Sequence, residues 1–230
     1  MTAACLSLPQ FACDTPNWRA SSRDFGSGDI AEVFPSANGC ITVVVADVSG
    51  HGPLAARYAF YLRNALRALM GETSPARILE RINREFSRHL MDGRLNELFA
   101  SMFFASVNAD RVLTYASAGH DVGILISHDG RMHRHLRATG MLLGVDAGER
   151  YDEVALDVQP GDCLTLVTDG ITDARNARGA FFGTAGVARS AMRAVRSATH
   201  DPAAAVLSAA RDFTGGTFAD DASVVCVRVL

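Results

Sequence analysis

The segment VVVADVSGHGPLAARYAF, residues 43–60, changes character three times within a short span. A valine-rich apolar run ends on Asp47, a turn containing Gly50 and Gly52 follows, and Pro53 opens a segment with helical spacing. β-Branched residues favour strands, glycine permits tight backbone turns, and proline is favoured in the first turn of a helix. The segment therefore predicts a buried strand that delivers an acidic side chain to a turn, followed directly by a helix.

Strand-like runs occur in clusters along the rest of the chain. Seven runs predict strands, at 40–47, 99–107, 112–119, 122–128, 152–158, 162–169 and 222–230. The short breaks between the runs from 99 to 136 indicate hairpins and an antiparallel sheet.

Paired helical segments lie between these clusters. They are predicted from Pro53 to about Met70 with a stop at Gly71, from Pro75 to about Leu90, and over 184–198 and 202–213. The first helix carries an apolar stripe at Leu54, Tyr58, Leu62, Leu66 and Leu69. Strand clusters mixed with paired helices predict an α+β layered sandwich.

Composition and charge describe an ordinary domain. The 230 residues suffice for one substantial core and no linker-like stretch divides them, so we expect one domain over 1–230. The formal net charge of −3 lacks the basic surplus of a nucleic-acid-binding protein. Neither a signal peptide nor a membrane-spanning segment is visible. We therefore expect a cytoplasmic protein with free cysteine thiols and with neither nucleic acid nor membrane as a partner.

Three of the predicted strands meet an acidic residue at one end. Asp47 and Asp169 end two runs, Asp220 and Asp221 precede a third, and Asp29 lies in the glycine-containing segment GSGDIAEVF. One aspartate at a strand end usually forms a turn, but carboxylates gathered there repel one another unless a cation joins them. Because Mg²⁺ and Mn²⁺ take oxygen ligands, the set predicts one of these ions. Two such ions can activate water for attack on a phosphoryl group, which predicts a phosphate-ester hydrolase.

Other enzyme classes have weaker support. Ser49 and His51 lie two residues apart in a turn, without the G-x-S-x-G elbow of a serine hydrolase. The glycine-rich segments match neither a P-loop nor a Rossmann pattern, and no EF-hand loop is present. The sequence therefore offers no convincing protein nucleophile.

Seven consecutive motifs resemble those of one bacterial family. They are SGD (27–29), ADVSGHG (46–52), FASMFFA (99–105), YASAGHDVGILI (115–126), GMLLGV (140–145), LVTDGITDARNARGAFFG (166–183) and DDASVV (220–225). Together they resemble the stage-II-sporulation-E type of serine phosphatase, a branch of the type 2C metal-dependent protein phosphatases (PPM family), from about residue 20 to residue 230. The resemblance implies a four-layer αββα sandwich, in which helix pairs flank two antiparallel sheets, with two Mn²⁺ or Mg²⁺ ions at one end.

The resemblance also implies roles for individual residues. Asp47 would bridge both metals and the Val48 carbonyl would bind one of them, while Asp169 and Asp220 complete the first metal and Asp29 holds the second. Asp47 and Asp169 would be catalytic in this sense, because the implied mechanism is direct attack by metal-bound hydroxide without a phosphoenzyme.

Three further acidic residues are candidates of second rank. Glu32 stands where relatives usually have aspartate, and it could reach a metal-bound water or lie behind the ligands. Asp173 stands where the family commonly has glutamate. Asp221 is expected to point away from Asp220, since side chains alternate in an extended chain.

Two histidines and two arginines complete the candidates. His51 could protonate the leaving serine oxygen, but a turn histidine bonded to the backbone is the favoured interpretation. His120 is expected to position a loop near the site. Arg175 and Arg178 predict either a solvated loop or a segment that docks the substrate phosphate.

The resemblance implies dephosphorylation of phosphoserine, often on a STAS-domain anti-anti-sigma factor in a partner-switching pathway. It also implies that the first helix pair can regulate activity or form a homodimer. The alternative is a non-catalytic binding module of the same fold that sequesters a signalling partner. Retention of Asp29, Asp47, Asp169 and Asp220 favours the enzyme.

Overall fold

The computed structural model describes residues 12–14, 18–23, 29–35, 40–69, 72–93 and 98–230. The strands in these ranges are β1 (Ala12–Asp14), β2 (Trp18–Arg23), β3 (Asp29–Pro35), β4 (Ile41–Val48), β5 (Ala100–Val107), β6 (Val112–Ala118), β7 (Gly123–Ile126), β8 (His133–Leu136), β9 (Val154–Asp157), β10 (Cys163–Val167) and β11 (Val224–Val229). The helices are α1 (Pro53–Ala68), α2 (Pro75–Gly93), α3 (Asp169–Thr172), α4 (Gly183–Arg196) and α5 (Pro202–Thr214).

The strands form two antiparallel sheets with a helix pair on each outer side. Sheet A has the order β1-β2-β11-β10-β7-β8, and sheet B has the order β3-β4-β5-β6-β9. The pair α1 and α2 packs on sheet B, and the pair α4 and α5 packs on sheet A. This arrangement confirms the predicted α+β fold and its four αββα layers. No helix in the described ranges is both long and apolar enough to cross a membrane.

Alternation along the strands divides the apolar side chains among three packed layers. In β4, Val43 and Val45 pack between the two sheets, whereas Val44 packs beneath α1 and α2. In β11, Val225 packs between the sheets and Val224 packs beneath α4 and α5. Because both faces of these central strands are buried, their sequences are apolar at consecutive positions rather than at alternate ones.

All seven predicted strands and all four predicted helices are present, with ends displaced by a few residues. The sequence did not predict strands β1, β2, β3 and β8 or the short helix α3. Polar side chains explain the omission of β8, whose residues His133, Arg134 and His135 are exposed at the edge of sheet A. The predicted end of α1 at Met70 and Gly71, and residues 27–28 of the SGD motif, lie outside the described residues.

The apolar stripe of α1 differs from its prediction at one position. Leu54 is 44% exposed, and Ala55 takes the buried position in the first turn. Both residues satisfy helical spacing to the next buried residue, so the spacing alone did not distinguish them. The predicted members that are buried are Tyr58, Leu62, Leu66 and Leu69.

Candidate metal centre

The pairing of β3 with β4 places two predicted ligands opposite each other. In the antiparallel register, Asp29 is the partner of Asp47. The same strand faces carry Val33, Val43 and Val45 into the layer between the sheets. Directly opposed residues have Cβ atoms only about 4.5–5.5 Å apart, and like charges there destabilise the pair. Register alone therefore concentrates negative charge at one end of the layer between the sheets.

Sheet A brings further acidic residues to the same end. Asp169 begins α3 directly after β10, and Asp220 and Asp221 lie in the segment before β11. The end of β10 meets the start of β11, because Val167 pairs with Val224 in the antiparallel register.

Residues from both sheets line one pocket of about 290 Å³. Its lining includes all four predicted aspartate ligands, the predicted Val48, and the additional candidates His51 and Asp221. The lining residues are Asp29, Asp47, Val48, Ser49, Gly50, His51, Gly52, Phe99, Asp169, Asp220 and Asp221. We call this the acidic pocket.

Burial and mutual repulsion raise the pKa values of two carboxyl groups in this pocket. The pKa of Asp47 rises to about 7, chiefly because the group is removed from water and then because Asp169, Asp220 and Asp221 are negatively charged. Burial also raises the pKa of Asp169, and the charges of Asp220 and Asp173 add to that effect. A bound divalent cation would relieve this repulsion.

The donors of the acidic pocket suit a hard divalent cation. Carboxylate and carbonyl oxygens are the ligands that Mg²⁺ and Mn²⁺ prefer. Among the residues that the structure describes, no three His, Cys, Asp or Glu side chains have converged into a ready-made ligand cluster. The residues therefore fit such an ion by donor type and charge rather than by preformed coordination geometry.

Two hydroxyl groups from sheet A hold Asp29. The Asp29 side chain is buried, and its Oδ2 accepts hydrogen bonds from Thr168 Oγ1 and Ser223 Oγ, each at 2.7 Å. The Ser223 N–H donates to Thr168 Oγ1 at 2.9 Å, and the Thr168 N–H donates to the Ser223 carbonyl at 3.1 Å. We call Asp29, Thr168 and Ser223 the hydroxyl clamp. It connects β3 of sheet B to the ends of β10 and β11 in sheet A.

Neither hydroxyl residue of the clamp is among the site residues predicted from the sequence. Thr168 follows β10 and Ser223 precedes β11. Both residues are uncharged and common at the ends of strands, so residue type alone does not distinguish them. Strand alternation would have found them. Thr168 lies two residues after Leu166, and Ser223 lies two residues before Val225, and both of these apolar residues face the layer between the sheets.

His120 forms a second connection between the two sheets. Its ring is buried, Nε2 donates to the Val167 carbonyl at 2.9 Å, and Nδ1 accepts from Ser101 Oγ at 2.9 Å. Burial lowers the pKa of His120 to about 4, although the Val167 carbonyl and the charge of Asp121 oppose this effect. The ring is therefore neutral near pH 7 and lies between β5 and the end of β10.

A second pocket of about 260 Å³ adjoins the acidic pocket. The two share Asp47, Ser49, Phe99 and Asp169, and the second pocket extends away from the acidic residues of the 220–221 segment. Its other lining residues are Ser101, Gly119, His120, Asp121 and Val122.

Ser49, rather than His51, fixes the turn after β4. The Ser49 N–H donates to the Phe99 carbonyl at 2.9 Å, and the Phe99 N–H donates to Ser49 Oγ at 3.0 Å. Gly50 and Gly52 have φ angles of 88° and 80°, a left-handed region that favours glycine. His51 is exposed at the rim of the acidic pocket. Its ring has no hydrogen bond to another described residue, so the favoured backbone bond of His51 is not present.

Glu32 lies on the face of β3 opposite to Asp29, because residues three apart in a strand point to opposite sides. Glu32 Oε1 is 2.8 Å from Arg63 Nε and 3.1 Å from Arg67 Nη2, both on α1. Arg63 Nη2 also donates to the Asp29 carbonyl at 3.3 Å. Glu32 therefore ties β3 to α1 and does not line the acidic pocket.

Of the two remaining acidic candidates, Asp221 lines the acidic pocket and Asp173 does not. Asp221 lines the acidic pocket together with Asp220, so the expectation that it points away is wrong. The chain bends at 219–220 instead of continuing as a strand, and alternation does not apply there. Asp173 is exposed outside the pocket, where its N–H donates to the Asp169 carbonyl at 2.6 Å.

Arg175 and Arg178 lie on a hairpin-like segment after α3. The Arg175 guanidinium stacks 4.0 Å from the centre of the Phe181 ring, and these two residues pair as a β-bridge. Asn176 Oδ1 accepts from the N–H groups of Arg178 and Ala180 at the tip. Both arginines are exposed outside the two pockets, and substrate docking by them stays a prediction.

Gly170 allows the two acidic segments of sheet A to approach each other. A Cβ atom at this position would collide with the carbonyl oxygen of Asp221 and would lie 2.8 Å from its carbonyl carbon. Glycine is needed here for space rather than for an unusual backbone angle, because Gly170 has a helical conformation in α3.

Comparison with known proteins gives one family and several relatives. The family model described as Stage II sporulation protein E (SpoIIE) matches residues 37–230. Phosphoserine phosphatase RsbU of Bacillus subtilis (strain 168) is 32% identical over 142 residues, which cover 60% of this chain and 41% of RsbU. Protein IcfG of Synechocystis sp. is 29% identical over 182 residues, which cover 68% of this chain and 28% of IcfG. The chain thus spans less than half the length of these relatives.

Solved structures share the fold. The RsbU and RsbW domains of Rv1364c from Mycobacterium tuberculosis match with a TM-score of 0.75 and 21% identity, over 93% of this chain and 60% of that one. RsbX, solved in complex with magnesium, matches with a TM-score of 0.71 and 15% identity, over 96% of this chain and 100% of that one. Identities this low establish likeness of fold alone.

Substitution of Gly170 by alanine tests the close approach at α3. We expect Gly170→Ala to lower the free energy of unfolding by about 1–3 kcal/mol, because the new methyl group must displace the Asp221 main chain. Gly148→Ala is the matched control, since its Cβ would have an ordinary nearest contact of 3.4 Å. Urea unfolding of the two variants measures the difference. Equal free energies of unfolding for the two variants would show that the main chain at Asp221 moves aside without loss of stability.

Substitution of His120 tests its burial as a neutral ring. Its pKa is about 4 in the fold against the ordinary histidine value of 6.5, so the unfolded chain binds more protons between these pH values. Stability should therefore fall as the pH falls from 6.5 to 4, by about 3 kcal/mol from this residue. His120→Gln should lack this component in urea unfolding at pH 4.5 and pH 7. The exposed-site variant His133→Gln should keep it, and equal pH dependence of both variants would contradict the assignment.

Proposed function

Because the chain belongs to the stage II sporulation protein E family of type 2C phosphatases, we propose that it is a protein serine phosphatase that removes phosphate from phosphoserine. The observation that carries the proposal is the acidic pocket, where five aspartates from two sheets line one cavity. The relative RsbU, which is named a phosphoserine phosphatase, supports the choice of substrate.

We propose two divalent ions, Mn²⁺ or Mg²⁺, as the cofactors. Asp47 would be shared by both ions and the Val48 carbonyl would bind one of them, while Asp169 and Asp220 would complete the first ion and Asp29 would hold the second. When bound, the ions supply positive charge for the phosphoryl oxygens and lower the pKa of a water that attacks phosphorus. The magnesium in the structure of RsbX supports this choice of ion class.

The protein side of the reaction is mostly positioning. The carboxylates of the acidic pocket repel a phosphate dianion unless cations compensate their negative charge. Binding of the substrate phosphate therefore depends on bound cations. The neighbouring pocket of about 260 Å³ leaves room for the polypeptide around the phosphoserine. Both pockets share Asp47 and Asp169, which supports a substrate phosphate that lies next to the proposed ions.

A protein nucleophile finds no support among the described side chains of the pockets. Ser49 Oγ accepts from the Phe99 N–H, and no hydrogen bond joins it to a basic side chain among the described residues. Ser101 Oγ donates to His120, but the pKa of that ring is lowered to about 4 by burial, which makes it a weak base for activating the hydroxyl. Direct attack by water is therefore the proposed route. His51, with an uncommitted ring at the rim, is the candidate for protonating the leaving serine oxygen, whereas both nitrogens of His120 are committed.

We further propose a STAS-type phosphoprotein of a partner-switching pathway as the substrate. The relative RsbU and the match to a chain with RsbU and RsbW domains support this context. A homodimer through α1 and α2 is part of the same proposal. The cytoplasm is the proposed location, since the thiols of Cys40, Cys163 and Cys226 are free, as is usual in reducing compartments.

Hydrolysis of an aryl phosphate in the presence of Mn²⁺ tests the enzyme against a non-catalytic binding module. We expect Asp169→Asn to lower kcat by more than about 100-fold, beyond the usual effect of a residue that only supports a ligand. Asp110→Asn is the control, because it removes an exposed charge in the turn between β5 and β6, outside both pockets. It should retain activity within a few-fold. Folded wild-type protein without Mn²⁺-dependent activity would instead favour the binding module.

Removal of divalent ions tests whether the ions are needed for folding or only for catalysis. We expect a chelator to abolish turnover and leave the circular dichroism spectrum unchanged, because three apolar layers stabilise the sandwich independently of the acidic pocket. Restored Mn²⁺ at about 100 times its dissociation constant should add about 2.7 kcal/mol of stability. Global unfolding on chelation would contradict this expectation.

A further inference from the structure

We propose that Thr168 and Ser223 are positioning residues that set the affinity of the acidic pocket for a divalent cation, acting through Asp29. The inference rests on the proposed metal-dependent function, and it adds two residues that bear no charge and make no proposed contact with an ion. Their hydroxyl groups would act by fixing a ligand before the ion arrives.

Both hydroxyl groups of the clamp are buried and engaged in hydrogen bonds. Thr168 and Ser223 are each 0% exposed, and both hydroxyl groups donate to the same oxygen of Asp29 at 2.7 Å. Thr168 Oγ1 accepts at the same time from the Ser223 N–H. Hydroxyl donors at this distance from a carboxylate are at the strong end of hydrogen bonding. They compensate the charge of a carboxylate that is otherwise buried at considerable cost.

The hydroxyl clamp also fixes the orientation of the Asp29 carboxylate. Two donors that converge on Oδ2 restrict rotation of the Asp29 carboxylate about its side-chain bonds. A ligand fixed in this way loses its conformational freedom during folding instead of during ion binding, which increases affinity. Removal of either hydroxyl leaves Asp29 with one donor fewer in a buried position.

Thr168 lies in the chain between a residue that binds His120 and a residue that lines the acidic pocket. Val167 accepts the hydrogen bond of His120, Thr168 donates to Asp29, and the next residue, Asp169, lines the acidic pocket. The clamp therefore also fixes the separation between the acidic residues of sheet B and those of sheet A. Loss of the clamp should loosen the ligand set as well as Asp29 itself.

Binding of Mn²⁺ alone, followed by the electron paramagnetic resonance signal of the free ion, tests the proposal without relying on activity. We expect Thr168→Val and Ser223→Ala each to weaken Mn²⁺ binding about 10- to 100-fold, the usual range for residues that support a metal ligand. Thr168→Ser keeps the hydroxyl and should bind Mn²⁺ within a few-fold of wild type. Thr165→Val is the matched control, because this buried threonine of β10 bonds to Cys226 Sγ on the other face of the strand.

A double-mutant cycle with Asp29 distinguishes positioning from general damage. In an Asp29→Asn background, Thr168→Val should weaken Mn²⁺ binding no further, since its effect passes through the Asp29 carboxylate. Additive losses would overturn the proposal. So would wild-type affinity in both hydroxyl variants, or an equal loss in Thr165→Val. Urea unfolding of the metal-free variants verifies that each is folded.

The outcome is separable from that of the proposed function. Weakened Mn²⁺ binding in the variants together with an absence of phosphatase activity in the wild type would uphold the positioning role and reject the phosphatase. Phosphatase activity with unchanged Mn²⁺ binding in the variants would reject the positioning role alone. Wild-type protein that binds no Mn²⁺ would overturn both.

Discussion

A buried carboxylate that accepts hydrogen bonds from the opposite sheet holds the two halves of this site together. Asp29 belongs to sheet B, and the hydroxyl groups of Thr168 and Ser223 belong to the ends of strands in sheet A. Most of the contact between the sheets is apolar and therefore not directional. The hydroxyl clamp adds directional hydrogen bonds at the end of the sheets that carries the acidic pocket. These bonds constrain how Asp47 on one sheet faces Asp169 on the other.

The acidic pocket works against the stability of the fold that presents it. Strand register places Asp29 opposite Asp47, and the pKa of Asp47 is raised to about 7 by burial and by its acidic neighbours. Such a cluster is tolerated because the sheets are already held by the apolar layers on either side of each strand. Because the unfolded chain does not gather these carboxylates, a cation binds the folded chain much more tightly than the unfolded one. Cation binding to the pocket therefore increases the free energy of unfolding.

The sequence predicted those features that one strand or one helix determines by itself. Continuous apolar runs identified the central strands because both of their faces are buried, and Asp47 and Asp169 were identified by their positions at strand ends. Features that depend on two elements were missed or misjudged. Thr168 acquires a role only when Asp29 arrives from the other sheet, and Asp221 enters the pocket only because the chain bends beside it. Glu32 was predictable, since its odd spacing from Asp29 already placed it on the other face of β3.

Glu32 supports the site from outside the acidic pocket, through contacts between β3 and α1. On the outer face of β3 it binds Arg63 and Arg67 of α1, and Arg63 also reaches the carbonyl of Asp29. Asp29 is thus held at two points, by an arginine of α1 at its main chain and by the hydroxyl groups of sheet A at its carboxylate. Three of the four layers consequently meet at one residue. A displacement of α1 along β3 would act on the Asp29 main chain while the clamp resists movement of its side chain.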